Sequence, residues 1–213
     1  MRALLVGAAW APGKDDFYAA LAADHDLLIA ADAAAERLLA LGVTPDVAVG
    51  DFDSAAPGAV LRLRQAGVRV REFPTAKDET DLDLASDEAR AIGATSVTVT
   101  GAFRDRLDHT LAALGTLARL ADLGGVAVEP DLGAWALDGA ARPSLTLALA
   151  PGTVVSAFSL NGTATGVCLR GFRYPLEGAA LQPMSGLGVS NVAEAPAQSV
   201  SLTTGTMVLL AAD

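Results

Sequence analysis

Two aspartates, Asp51 and Asp53, follow a short apolar segment that ends at Gly50. The β-branched residues of this segment predict a strand that enters a polar loop. If the backbone stays extended, Asp51 and Asp53 point to the same side of the chain. Neighbouring carboxylates repel each other unless a proton or cation lies between them, and their oxygens suit a hard ion such as Mg²⁺. The alternative is an Asx-rich turn that caps the next helix, and this segment alone does not decide between the two.

The segment 77–83 places one cation, Lys77, among four acidic residues. Acidic residues in the first turn of a helix are favoured by the helix dipole, whatever the protein does. Lys77 points to a more specific role, because it can neutralise neighbouring carboxylates or reach a phosphate group. If Asp51 and Asp53 hold a metal ion, Asp81 would supply a further oxygen ligand.

A third polar segment contains Arg106 and Asp108 at the start of a predicted helix. These residues predict either a surface ion pair of little energetic consequence or a pair with catalytic roles. In the catalytic interpretation, Arg106 stabilises negative charge on a transferred phosphoryl group and Asp108 contacts the metal or the nucleophile. For His109 we favour a structural role over that of a general base, and for Asp105 a helix cap is one alternative.

The sequence and its composition exclude several classes of function. It contains no Gly-x-x-x-x-Gly-Lys-Ser/Thr phosphate loop and no Gly-x-Gly-x-x-Gly after the first predicted strand, which argues against P-loop kinases and standard dinucleotide dehydrogenases. No Cys/His cluster offers a zinc site. The net charge of −10 over 213 residues disfavours nucleic-acid and membrane partners. Because Cys168 is the only cysteine, no intrachain disulfide can form, and we expect a cytoplasmic protein.

The polar segments lie in the loops of an alternating β/α pattern. Strands are predicted at residues 3–6, 26–31, 46–50, 68–73, 96–100 and 126–129. Helices are predicted between them at residues 15–23, 33–41, 57–66, 79–92 and 106–122. The pattern predicts a Rossmann-like, mostly parallel sheet flanked by helices. Because strand-to-helix loops gather at one edge of such a sheet, Asp32 and the three polar segments should converge on one site.

The second part of the chain has a different pattern of apolar and polar residues. Helical periodicity fades after about residue 130, and β-like segments follow at residues 145–149, 153–160, 164–169 and 200–210. Glycine-rich turns separate them. We therefore predict an α/β domain at residues 1–133 and a smaller antiparallel β-sandwich or barrel-like domain at residues 134–213.

Read in order, several motifs of the chain resemble those of the thiamine pyrophosphokinase family. In the first part they are Ala31-Asp32, Gly50-Asp51-Phe52-Asp53-Ser54, Lys77-Asp78-Glu79-Thr80-Asp81-Leu82-Asp83 and Arg106-Leu107-Asp108-His109. In the second part they are Gly171-Phe172-Arg173-Tyr174-Pro175 and Ser190-Asn191. The resemblance spans nearly the whole chain.

The resemblance implies an enzyme that transfers a pyrophosphoryl group from ATP to thiamine, giving thiamine diphosphate and AMP. It also implies Mg²⁺ as cofactor and a homodimer, with an ATP- and Mg²⁺-binding first domain and a thiamine-binding second domain. By resemblance, the metal ligands are Asp51, Asp53 and Asp81, and these three are also catalytic residues. The other catalytic residues are Arg106 and Asp108. ATP would contact Asp32, Ser54, Lys77, Thr80 and Arg106, and thiamine would contact Tyr174, Ser190 and Asn191.

Two segments depart from the family pattern. A glycine-rich stretch after the first family aspartate is here Ala33-Ala34-Ala35, and one before the family arginine is here Ala102-Phe103-Arg104-Asp105. Both departures lie beside the expected ATP site. The departures keep open a thiamine-binding relative without turnover. A separate alternative is a pyrophosphokinase for another small alcohol such as a hydroxymethylpterin.

Overall fold

The computed structural model describes residues 1–53, 55–104 and 106–212. The chain divides into two compact units, Met1–Thr116 and Leu117–Asp213. This division lies earlier than the boundary predicted after residue 133, and the limits of the functional domains stay a prediction. Within the described residues, no helix is both long enough and apolar enough to span a lipid bilayer.

The first unit contains a five-stranded parallel sheet in the order β5-β1-β2-β3-β4. Its strands are β1 (Arg2–Val6), β2 (Leu27–Ala31), β3 (Val47–Gly50), β4 (Arg69–Glu72) and β5 (Ser96–Thr100), all close to their predicted positions. The chain adds β2, β3 and β4 on one side of β1 and then crosses back to place β5 on the other side. The carboxyl ends of β1 and β5 therefore flank the point where the strand order reverses, which is where open α/β sheets bind ligands.

Helices cover both faces of this sheet, as predicted. The described helices are α1 (Asp15–Ala23), α2 (Ala34–Ala40), α3 (Ala59–Gln65), α4 (Asp81–Ile92) and α5 (Leu107–Arg119). Side chains alternate between the faces of a strand, and Leu4 and Leu28 on one face pack against residues of α1, α2 and α3. Because α4 packs across β1, β2 and β3 without joining that cluster, it lies on the opposite face.

The second unit contains two antiparallel sheets, ordered β12-β9-β14-β7-β6 and β11-β10-β13-β8. Their strands are β6 (Val126–Glu129), β7 (Leu132–Asp138), β8 (Ser144–Leu147), β9 (Val154–Ser159), β10 (Ala164–Arg170), β11 (Leu176–Leu181), β12 (Asn191–Val192), β13 (Gln198–Ser201) and β14 (Thr206–Ala212). Val155, Leu169 and Met207 bring apolar side chains from both sheets into one buried cluster. The predicted antiparallel sandwich is therefore confirmed.

Two strand predictions in this region were wrong in detail. β7 lies at residues 132–138, where no strand was predicted. β6 lies at its predicted position, and it pairs with β7 in antiparallel fashion. The single strand predicted at residues 200–210 is two strands, β13 and β14, which a turn separates at Gly205, where φ is +87°.

Candidate active site

A cavity of about 410 Å³ opens at the carboxyl ends of the parallel strands, a volume suited to a small-molecule ligand. It lies at the strand-order reversal, between the loops that follow β1 and β5. One part of its wall is apolar and includes Gly7, Ala8, Ala9, Ala31, Leu82 and Ala102. The other part is charged and includes Asp32, Lys77, Glu79, Asp81, Arg104 and Arg106. The cavity can therefore accept a ligand with an apolar end and a charged end.

Two glycines bring the loops after β1 and β5 into contact at this wall. A Cβ atom added to either Gly7 or Gly101 would lie 2.4 Å from the carbonyl oxygen of the other glycine. Gly101 also has a φ of +66°, which side-chain-bearing residues rarely adopt. Ala9 N donates a hydrogen bond to Gly101 O at 2.8 Å, so the two loops form one backbone wall.

Trp10 anchors the loop after β1. Its Nε1 donates a hydrogen bond to Gly7 O at 2.7 Å, and its ring stacks on Tyr18 with the ring centroids 4.3 Å apart. The Arg37 guanidinium carbon lies 4.3 Å from the centroid of the Trp10 ring. These contacts hold the cavity wall against α1 and α2, since the ring is almost completely buried.

Lys77 joins two of the predicted metal ligands. Its Nζ lies 3.1 Å from Asp51 Oδ2 and 3.1 Å from Asp81 Oδ1. The side chain of Lys77 is only 12% exposed and that of Asp51 only 11%. The loops after β3 and β4 therefore meet in a partly buried cluster of one cation and two carboxylates, as the predicted convergence of loops requires.

The electrostatics of this cluster leave it negative. Burial raises the pKa of Asp81, and the charges of Asp32 and Asp51 add to this effect, although Lys77 opposes it. A hydrogen bond from Asp53 N and another from Lys77 lower the pKa of Asp51. Burial lowers the pKa of Lys77, but its contacts with Asp51 and Asp81 outweigh burial and leave that pKa above its usual value. One ammonium group thus does not fully offset the carboxylates around it.

The backbone near these aspartates is turned, not extended. Phe52 has a φ of +55°, so the extended backbone assumed for Asp51 and Asp53 is wrong. Asp53 N instead donates to Asp51 Oδ1 at 3.2 Å, which is the Asx turn of the alternative interpretation. Asp32 has a φ of +47°, and such conformations concentrate at functional sites. Asp53 is exposed, and Ser54 lies outside the described residues.

A capping box fixes the start of α4 at the cavity. Thr80 Oγ1 accepts a hydrogen bond from Asp83 N at 3.2 Å, and Asp83 Oδ2 accepts one from Thr80 N at 3.1 Å. The buried Thr116 of α5 donates a hydrogen bond to the other oxygen of Asp83. Thr80 and Asp81 are therefore held in place by a contact between α4 and α5.

Arg106 and Asp108 form a two-pronged ion pair at the start of α5. Arg106 Nε and Nη2 donate to the two oxygens of Asp108 at 3.1 Å and 2.6 Å. The hydrogen bonds from Arg106 lower the pKa of Asp108 to about 2. Both side chains are about two-thirds exposed, at 68% and 66%. The geometry of the pair matches the surface-pair interpretation, but Arg106 also lines the cavity. Asp105, for which a helix cap was one alternative, lies outside the described residues.

In the second unit, Asn191 holds the backbone of Tyr174. Asn191 Oδ1 accepts from Tyr174 N at 2.9 Å, and Asn191 Nδ2 donates to Tyr174 O at 2.7 Å. Asn191 is 2% exposed, whereas Tyr174 is 61% exposed. Ser190, with a φ of +55°, precedes Asn191 in an exposed turn. The buried amide therefore presents the aromatic ring of Tyr174 to solvent.

We expect Asn191→Ala to lower the free energy of unfolding by about 1–3 kcal/mol, because the backbone N–H and C=O of Tyr174 lose their partner in the buried Asn191 amide. Asn161→Ala is the matched control, since the chain has no other asparagine and Asn161 is exposed. Urea unfolding of both variants measures the difference. Equal losses in the two variants would contradict a specific role for the Asn191 amide.

The chain matches two family models in succession. Residues 18–125 match the catalytic domain of thiamin pyrophosphokinase, and residues 144–209 match its vitamin B1 binding domain. The chain belongs to the thiamin pyrophosphokinase family. This finding confirms the resemblance derived from the ordered motifs.

Individual relatives of the family agree with this membership. The chain is 35% identical to thiamine pyrophosphokinase of Bacillus subtilis over 88 residues, which are 41% of this chain and 41% of that protein. It is also similar to the crystal structure of a thiamin pyrophosphokinase from Geobacillus thermodenitrificans, with 26% identity and a TM-score of 0.77 over 100% of this chain and 98% of that one. The crystal structure of thiamine pyrophosphokinase from Bacillus subtilis is similar at 22% identity, with a TM-score of 0.80 over 100% of this chain and 99% of that one. A Candida albicans thiamin pyrophosphokinase shares the fold at 13% identity, with a TM-score of 0.80 over 100% of this chain and 89% of that one.

Most of the predicted site residues of the first unit lie together. Those that line the cavity are Asp32, Lys77, Thr80, Asp81 and Arg106. Asp51 contacts Lys77 and so lies next to this group. Asp53 and Asp108 are exposed and lie outside the lining, and their roles stay predictions. Sequence reasoning missed Gly7, Trp10 and Gly101. A usable signal was that Gly7 and Gly101 each directly follow a predicted strand.

Proposed function

We propose that this chain transfers the terminal pyrophosphoryl group of ATP to the hydroxyl oxygen of thiamine. The oxygen attacks the β-phosphorus, the bond between this phosphorus and the bridging oxygen to the α-phosphorus breaks, and AMP leaves as the hydroxyl proton is lost. The observation that carries the proposal is the cavity, which joins an apolar wall to a charged edge within the segment that matches the catalytic family model. The apolar wall suits the base of ATP and the charged edge suits its phosphates.

The residues of the charged edge fit the Mg²⁺ that the family implies. Carboxylates of Asp51 and Asp81 already converge on one cationic atom, Lys77 Nζ, and Mg²⁺ prefers such oxygen ligands. Among the described residues, no three His, Cys, Asp or Glu side chains are arranged to hold a metal, so phosphate oxygens would complete the ligand set. Asp51 and Asp81 would hold the ion, and Asp53 stays a predicted further ligand. When bound, it would offset the negative charge on the reacting phosphates.

Arg106 is the cation proposed to contact the transferred group. Arg106 lines the cavity, and its guanidinium pairs with Asp108. Arginine binds phosphate oxygens with the same two-pronged geometry that it uses for a carboxylate. Lys77 and Thr80 also line the cavity and are proposed to contact phosphate groups. Asp32, another lining residue, is proposed to contact the metal ion and the phosphates.

Thiamine binding is assigned to the second unit, with Tyr174 as the aromatic surface and Ser190 and Asn191 beside it. An exposed aromatic ring suits the cationic, aromatic thiamine molecule. We also propose a cytoplasmic homodimer. The exposed apolar residues Met184, Leu187 and Val189 support self-association, and size-exclusion chromatography with light scattering measures it.

The test of the proposed activity is a quenched assay with Mg²⁺, ATP and thiamine that separates thiamine monophosphate, thiamine diphosphate, AMP and ADP. The proposal requires thiamine diphosphate and AMP in equal amounts. Production of ADP with thiamine monophosphate would replace it with stepwise phosphoryl transfer. If thiamine binds by calorimetry but no product forms, the chain is a binding protein without turnover.

We expect Tyr174→Ala to raise the KM for thiamine about tenfold with little change in kcat, because the lost stacking of a cation on the ring is worth about 1–2 kcal/mol. Tyr174→Phe keeps the ring and should retain a KM near that of the wild type. Stability should hardly change, because the side chain is exposed. Equal KM values for the alanine and phenylalanine variants would remove Tyr174 from the thiamine site.

A further inference from the structure

Lys77 occupies the point where two carboxylates from different loops converge. Its Nζ lies 3.1 Å from an oxygen of Asp51 and 3.1 Å from an oxygen of Asp81. Asp51 follows β3, Lys77 lies in the loop after β4, and Asp81 is the first residue of α4. The ammonium group therefore links three segments of the site, at a position only 12% exposed to solvent.

A divalent cation held by Asp51 and Asp81 needs the carboxylate oxygens that Lys77 contacts. A compact ammonium and a metal ion cannot both occupy the space between them, and at such short separation their like charges repel strongly. Without Lys77, the carboxylates of Asp51 and Asp81 would repel each other across the space that its ammonium group fills. The structure thus places a built-in cation where the proposed metal ligands meet.

We propose that Lys77 is a resident counter-ion that competes with divalent metal for Asp51 and Asp81. This inference rests on the proposed function in taking these two carboxylates as metal ligands. Lys77 keeps the metal-free site neutralised in part and lowers its affinity for a metal ion that arrives without nucleotide.

The displaced ammonium has a second partner available. Lys77 lines the cavity, and lysine carries its charge on a flexible four-carbon chain with three rotatable donors. When nucleotide is present, a phosphate can pair with Lys77 as the metal takes Asp51 and Asp81. Metal and nucleotide therefore bind with positive coupling, and each raises the affinity for the other by the same factor.

The decisive experiment is a titration with Mn²⁺ in the absence of nucleotide. Electron paramagnetic resonance of the free ion measures how much Mn²⁺ is bound. We expect Lys77→Met to bind Mn²⁺ at least about tenfold more tightly than the wild type, because a like charge next to the ligands is gone. Lys14→Met is the matched control, since the chain has only these two lysines and Lys14 is exposed. It should leave Mn²⁺ affinity unchanged.

A second substitution shows where the added affinity resides. In the Lys77→Met background, Asp51→Asn should remove the gain. If Lys77→Met binds Mn²⁺ no more tightly than Lys14→Met, or if the gain survives Asp51→Asn, the counter-ion role is overturned. Lys77→Gln serves the same comparison if the methionine variant does not fold.

A measurement on the wild-type protein tests the proposal even if the variants do not fold. With ¹⁵N-labelled lysine, magnetic resonance should detect one shielded ammonium signal, and Mg²⁺ with a non-hydrolysable ATP analogue should shift it while the signal of Lys14 stays in place. An unshifted Lys77 signal at saturating ligand would overturn the exchange. If Mn²⁺ affinity rises in Lys77→Met but the wild type forms no thiamine diphosphate, the counter-ion role stands and the proposed function fails.

Discussion

Replacement of Asp51 by asparagine is expected to lower kcat for thiamine diphosphate formation by about 10³-fold or more. Asp51 is 11% exposed and contacts Lys77, so its carboxylate lies within the charged cluster of the site. Asparagine keeps the shape of the side chain but removes the charge, and with it one of the two carboxylates that converge on a cation. The quenched assay at saturating ATP, Mg²⁺ and thiamine measures the loss.

Asp16→Asn is the matched control for this variant. Asp16 lies exposed in the first turn of α1, so the same chemical change should leave kcat within about twofold of the wild type. Circular dichroism and thermal unfolding of both variants establish that the fold is retained. A rate for Asp51→Asn within threefold of the wild type would remove Asp51 from the catalytic site.

The second large effect is expected for Gly101→Ala. The added Cβ would meet Gly7 O at 2.4 Å and atoms of Trp10 at 2.8 and 2.9 Å, and neither the backbone nor the buried ring can move easily. Overpacking together with the positive φ should lower the free energy of unfolding by about 3–5 kcal/mol. Activity should fall as well, because separation of the two loops distorts the cavity wall. Urea unfolding and the quenched assay measure the two losses.

Gly13→Ala separates backbone strain from collision. Gly13 has a φ of +68°, nearly that of Gly101, but a Cβ there meets nothing within 4 Å. Its substitution should cost about 1 kcal/mol and leave kcat unchanged. If Gly101→Ala costs no more than Gly13→Ala, the contact between the loops is not tight enough to shape the cavity.

The sequence predicted the parallel sheet and its helices because two periodicities alternate clearly in the first part of the chain. It also predicted that Asp51 and Asp81 would approach each other, since the loops that carry them end at the same edge of the sheet. It did not predict that Lys77 lies between them. The position of a side chain between two loops depends on their relative placement, which no local pattern encodes.

Other features were missed for the same reason. Gly7 and Gly101 lie 94 residues apart in sequence, and only the pairing of β1 with β5 makes their approach visible. The role of Asn191 in holding the Tyr174 backbone depends on the path of the chain at Tyr174, which the Ser190-Asn191 motif does not encode. The break between β13 and β14 was not predicted because the β-branched residues Thr203, Thr204 and Thr206, which favour strands, flank Gly205.

The pairing of β1 with β5 also determines when the site can form during synthesis. β1 leaves the ribosome before the other strands of its sheet, but one of its two neighbours is complete only at Thr100. At translation rates of about 5–20 residues per second, roughly 5–20 s separate the two strands. Until then, one edge of β1 lacks its partner and the loop of Gly7 has no opposing wall. A ribosome-bound chain that ends before β5 therefore exposes an unpaired, apolar strand edge, and that intermediate is the stage at which chaperone capture or aggregation would act on this protein.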